Sequence, residues 1–128
     1  MKANELMTND WVLYGGKPTR VLQLEEGKDY KNAINPIPLT AEILQKNGFS
    51  IKEGGYIMTL AIEDTFTMNL DDEYGQHKWS IIITDSPWNI KIKVFGMLAI
   101  SIVIHFVHEL QHALRLVGLD NVADNFKV

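Results

Sequence analysis

The sequence predicts an α+β protein, and three observations carry that prediction. A Gly15-Gly16 pair separates two short β-forming runs near the N-terminus, residues 89–94 alternate strictly between apolar and polar, and an amphipathic helical stripe lies near the C-terminus. Together they give an N-terminal β-hairpin of SH3-like small-barrel type, a short bridging helix, an antiparallel β-meander and a C-terminal amphipathic helix. Residues 1–35 form the hairpin subdomain and residues 36–128 the remainder, expected to pack with it as one unit.

Taken in order, Trp11 to Tyr14 reads as the first strand and Gly15-Gly16-Lys17-Pro18 as a turn, in which the glycines supply positive φ. Thr19 to Leu24 reads as the second strand, with Leu22 and Leu24 on its buried face. Glu25 to Lys28 is a further turn, and Asp29 to Ile34 a third strand. Asn35-Pro36-Ile37-Pro38 then interrupts regular structure, because proline has no N–H to donate to a ladder or a helix. The bridging helix follows with Thr40 as N-cap, Ala41, Ile43 and Leu44 in its body, Asn47-Gly48 as a left-handed stop and Phe49 packing back.

From Gly54 onward a meander is expected. Tyr56 to Ile62 should pair with Thr65 to Leu70 around Glu63-Asp64, and Asp71 to Gln76 is a polar turn. His77 to Thr84 is a strand built on Ile81-Ile82-Ile83. After a turn at Asp85-Ser86-Pro87-Trp88, Asn89 to Val94 is a strand with one buried face and one wet face carrying Lys91 and Lys93. The apolar run 94–104 fits either a strand or the beginning of the last helix. That helix spans about His105 to Val117 and is stopped by Gly118. Its apolar stripe of Phe106, Val107, Leu110, Ala113, Leu114 and Val117 is expected to face the meander. His105, His108, Glu109, Gln111, His112 and Arg115 are expected on the opposite, polar side.

Composition excludes several function classes. The 128 residues include no cysteine, so there is no disulfide scaffold, thiolate metal site or cysteine nucleophile. A net charge of −4 argues against general binding of nucleic-acid backbones. No apolar core follows Lys2, so no secretory signal is expected and the cytoplasm is the expected compartment. The 94–104 run is shorter than the roughly 18 residues a spanning helix needs, so no membrane role is expected. No glycine-rich phosphate loop or G-x-S-x-G elbow is present.

One motif could carry chemistry. His108-Glu109-Leu110-Gln111-His112 matches H-E-x-x-H, in which two histidines four apart on a helix reach one zinc ion and the glutamate acts as general base on metal-bound water. His108 and His112 are therefore the candidate metal ligands and Glu109 the candidate catalytic base. The motif is incomplete as a catalytic centre, which needs a third protein ligand. Arg115 and Gly118 stand where metzincins have glycine and the third histidine. Only sixteen residues follow His112; their carboxylates are Asp120 and Asp124, and none is glutamate. Seven helical residues separate His105 from His112 by roughly 10 Å. His77 would have to arrive from a strand.

Three landmarks carry a resemblance. They are Lys2-Ala3-Asn4-Glu5-Leu6 through Asp10-Trp11-Val12, Pro36-Ile37-Pro38-Leu39-Thr40 through Leu44 and Asn47-Gly48-Phe49, and the closing Val107-His108-Glu109-Leu110-Gln111-His112-Ala113-Leu114-Arg115-Leu116. Together they resemble a group of small uncharacterised proteins from gut bacteria and their phages and mobile elements. The resemblance implies no particular activity. Members with His-Gln-Leu-Gln-Asn at the closing box imply a packing or interaction helix there, from which Glu109 and His112 are departures.

The expected function is that of a non-enzymatic binding or accessory module of phage or mobile-element type, with a protein partner or self-association and no cofactor. The alternatives are a zinc-dependent hydrolase using residues 108–112, and a binder of a small ligand such as a nucleotide or peptide, with a pocket between barrel and meander near Trp88. Trp88, His105 and Arg115 are the candidate binding surface. Trp11 and Trp79 read as largely buried. Asp71-Asp72-Glu73 with Gly75 lacks the ligand spacing of a calcium loop and reads as a solvated turn.

Overall fold

The Gly15-Gly16 turn is tighter than the four residues expected. In the computed structural model both glycines take positive φ, 58° and 81°, and the second strand begins immediately at Lys17. A two-residue turn with both central residues left-handed matches the natural twist of a hairpin, and only glycine adopts it without strain. The structure describes residues 6–21, 34–52, 56–57, 60–61, 65–84 and 88–128. The expected turn at Glu25 to Lys28, the Leu22 and Leu24 positions and the pivot at Glu63-Asp64 lie outside the described residues.

The chain divides into two units, one of residues 1–40 with 105–128 and one of residues 41–104. In the first, β1 (Trp11–Tyr14) pairs antiparallel with β2 (Lys17–Arg20) on one side and with β3 (Ile34–Pro36) on the other. Pro36 is thus not outside regular structure as expected. It stands opposite Val12 in an edge strand, where a missing N–H is tolerated. This is a three-stranded sheet, and no closed barrel is formed among the described residues. Leu6, Val12, Val21 and Ile34 form its buried cluster.

Residues 37–39 then run beside the start of α2 (Val107–Leu116). The Leu39 amide donates to the His105 carbonyl at 3.0 Å, and the Val107 amide donates to Ile37 at 2.9 Å. The helix stops at Gly118, where Leu119 N–H returns to the Leu114 carbonyl and Gly118 N–H to Arg115. A further short helix, α3 (Asp120–Asp124), was not expected. Its Ala123 and the following Phe126 are buried.

The second unit begins with α1 (Ala41–Lys46), capped as expected: Gly48 has φ 88° and the Phe49 amide donates to Leu44 at 3.1 Å. Its sheet is built from β4 (Ser50–Lys52), β7 (Thr65–Asp71), β8 (His77–Thr84), β9 (Asn89–Val94) and β10 (Met97–Val103). Their order is β10-β9-β8-β7-β4, entirely antiparallel. The meander is therefore present, with one correction. Residues 56–57 (β5) and 60–61 (β6) pair with each other, and β7 takes β4 and β8 as its neighbours instead. Residues 94–104 resolve as the end of β9, a turn at Phe95-Gly96 and strand β10, with Ile104 just beyond it. Register places Phe66 opposite Ile83, Ile83 opposite Ile90 and Ile81 opposite Ile92, all fully buried on one face. The turn at 72–76 is closed by the Asp72 carboxylate, which accepts the Tyr74 and Gln76 amides at 2.9 Å each.

No described helix is long and apolar enough to cross a membrane.

Candidate functional site

The H-E-x-x-H segment occupies the first two turns of α2, as its period requires, but its polar side is not left to solvent. His108 and Gln111 are buried with the apolar stripe of Val107, Leu110, Ala113 and Leu114. The expected two-sided helix is therefore corrected. Polar groups can go inside when neighbouring backbone satisfies them, as it does for Gln111, while the His108 ring is buried by stacking on Phe106.

Glu109 lies at the third position of the helix and turns back on its start. One carboxylate oxygen accepts the His105 amide at 2.9 Å and the Phe106 amide at 3.0 Å. These are N–H groups that the helix itself cannot satisfy, and a negative charge there also complements the helix dipole. Phe106, the N-cap, has no side-chain oxygen to return the favour, so this is half of a capping box.

His108 stacks on Phe106, with ring centroids 5.9 Å apart and planes 7° from parallel, and meets the edge of His112 at 5.6 Å. His112 Nε2 lies 2.5 Å from Asp10 Oδ2. The other oxygen of Asp10 accepts Arg115 Nη1 at 2.6 Å, and the Met7 amide donates to Oδ2 at 2.7 Å. Arg115 also donates to the Thr8 carbonyl at 3.1 Å and reaches Asp124 at 3.3 Å. Asp10 is fully buried. Burial by itself raises its pKa, but hydrogen bonds from His112, Arg115 and the Met7 amide, together with the charge on His112, outweigh it. They hold the carboxyl below the ordinary aspartate value of 3.8.

Gln111, one residue before, satisfies all its main hydrogen-bonding needs against backbone. Its Oε1 accepts the Trp11 amide, and its Nε2 donates to the Asn9 and Ala123 carbonyls, each at 2.9 Å. Trp11 Nε1 donates in turn to the Phe126 carbonyl at 2.5 Å. One face of α2 thus ties residues 7–11 to residues 123–126. Asp10 and Gln111 were missed by sequence reasoning. An isolated aspartate before a strand and a glutamine inside a helix carry no local signal of burial.

The remaining candidates are dispersed. His105 is exposed and precedes α2, while Arg115 is in its last turn, held between Asp10 and Asp124. Trp88 belongs to the other unit, where it meets Phe66 edge-on at 5.6 Å. His77 is in that unit too and pairs with Asp71 at 2.6 Å. Among the described residues no group of three or more histidine, aspartate and glutamate side chains is placed to hold a metal ion. A shallow recess of about 320 Å³ lined by Asn69, His77, Lys78, Trp79, Ser80 and Gly96 lies at the opposite end of the sheet from Trp88.

Comparison with known proteins found no matching family model, no matching curated protein and no matching solved structure.

Proposed function

We propose that this protein is a non-catalytic binding or accessory module that acts through its surface, with the α2 motif serving as an internal clamp. The observation that carries this reading is the engagement of two motif side chains, Glu109 and His112. Glu109 caps the helix it would need to leave in order to activate water, and the His112 nitrogen facing outward from the helix is held by Asp10. A general base needs a free lone pair aimed at its proton, and a zinc ligand needs its nitrogen aimed at the ion. The resemblance to small proteins of phages and mobile elements supports the same reading, as does the expected cytoplasmic location. An SH3-like barrel completing the three-stranded sheet would be a scaffold used for many binding functions.

A second reading, a zinc-dependent hydrolase, draws on the proximity of the His108 and His112 rings beside the Asp10 carboxylate. Metal analysis of untagged protein purified without added zinc separates the two. The clamp predicts no stoichiometric zinc. One zinc per chain, lost in both His108→Ala and His112→Ala, would overturn it.

A further inference from the structure

We propose that the outer edge of β10 binds a second copy of this chain, by antiparallel pairing of β10 with β10 across a two-fold axis normal to the sheet. The proposal rests on the reading above and names the partner that the surface takes.

β10 is the last strand of the five-stranded sheet, and among the described residues nothing pairs with its outer side. Of its seven residues only Ile100 is partly covered. Met97 is 77% exposed, Leu98 57%, Ile102 43% and Val103 47%. The opposite edge, β4, is only three residues long and includes a lysine. Natural edges are kept short, charged or interrupted by proline because a long bare edge templates further pairing. β10 has a bulge at Ala99, where its register against β9 shifts, but no charge and no proline.

The absence of charge selects the occupant. An acidic or basic segment would find nothing on β10 to complement it, whereas two copies of Met97–Val103 bring no like charges together along the strand. Lys91 and Lys93 lie one strand inward, so in the pair they face their counterparts across three strand spacings, about 14 Å, beyond the screening length of about 8 Å. The faces also agree. Ile100 and Ile102 follow Ile92 and Ile90 on the core side, while Ser101 stands beside Lys91 on the other. Centring the axis on Ser101 sets it opposite its own counterpart and Ile100 opposite the partner's Ile102, keeping apolar against apolar on one face. An edge about 24 Å long and one sheet thick, about 10 Å, is a small contact beside the 1,200 Å² or more of stable interfaces. The dimer is therefore reversible and concentration-dependent. It is also closed, because pairing uses up the bare edge and leaves the two β4 edges outermost.

The test is sedimentation or light scattering of the full chain from micromolar to millimolar concentration. The expected mass rises from 14.6 kDa toward twice that value and no further. Ser101→Glu sets two carboxylates against each other at the axis while giving each copy an ion pair with its own Lys91. It is expected to weaken association several-fold with an unchanged circular dichroism spectrum, and Ser101→Ala to leave association as it was. A chain that stays monomeric throughout, that grows beyond a dimer, or that dimerises equally well as folded Ser101→Glu overturns the proposal. A zinc-free monomer would remove self-pairing and leave the non-catalytic reading in place, whereas bound zinc removes that reading whatever the mass.

Discussion

The helix α2 and the strand β10 are neighbours in sequence and opposites in burial. The run from Val94 to Ile104 is the most apolar in the chain, yet most of β10 within it is exposed. The ten residues of α2 include two histidines, a glutamate and two further polar positions at Gln111 and Arg115, yet six of the ten are buried. Burial here follows the supply of partners more than the hydropathy of the segment. α2 finds backbone carbonyls and an amide for Gln111, and a buried carboxylate for His112 and Arg115. β10 offers a complete row of backbone donors and acceptors on its outer side with nothing described to receive them.

That contrast can be broken from the α2 side first. Asp10→Ala leaves Arg115 and His112 without their buried counter-charge and is expected to lower unfolding free energy by about 3 to 5 kcal/mol, read by urea denaturation. The same carboxylate sets a pH dependence. Because Asp10 titrates lower in the folded state than unfolded, its stabilisation is complete above the ordinary aspartate value of 3.8 and is lost as pH falls through the folded value. Melting curves of Asp10→Asn should lack this acid-limb contribution; an acid limb identical to the parent's would show that the Asp10 cluster does not hold the fold.

Gln111→Ala orphans the Trp11 amide and the Asn9 and Ala123 carbonyls, and is expected to cost about 2 to 3 kcal/mol in the same denaturation assay. Glu109→Ala removes only the half capping box, with an expected loss of about 1 kcal/mol by thermal denaturation. Ser101→Glu on β10 should change the stability of the dilute monomer by no more than about 0.5 kcal/mol. A loss on β10 as large as that at Asp10 would erase the distinction between the two elements.

The two regions were also unequally legible in the sequence. β8 and β9 occupy the expected spans, His77–Thr84 and Asn89–Val94, because alternating burial on a sheet is a local pattern. The stop of α1 at Gly48 is equally local. The α2 contacts are not local: Asp10 meets His112 across 102 residues, and Trp11 meets Gln111 across 100. No spacing rule links such residues, so the H-E-x-x-H pattern pointed to zinc chemistry while its side chains are engaged in capping and clamping. The pairing of β7 with β4 instead of residues 56–62 was hidden for a related reason. Proximity in sequence favours the nearer strand, but residues 56–57 and 60–61 pair with each other.

The discontinuity of the first unit has a consequence for the order of assembly. Residues 41–104 leave the ribosome as one contiguous stretch whose strands pair with near neighbours, while the hairpin at 11–20 has its fixings on a helix made about a hundred residues later. Nascent chains therefore expose the Asp10 carboxylate and the Trp11 indole before α2 and the residues after it, which supply their distant partners, have been made.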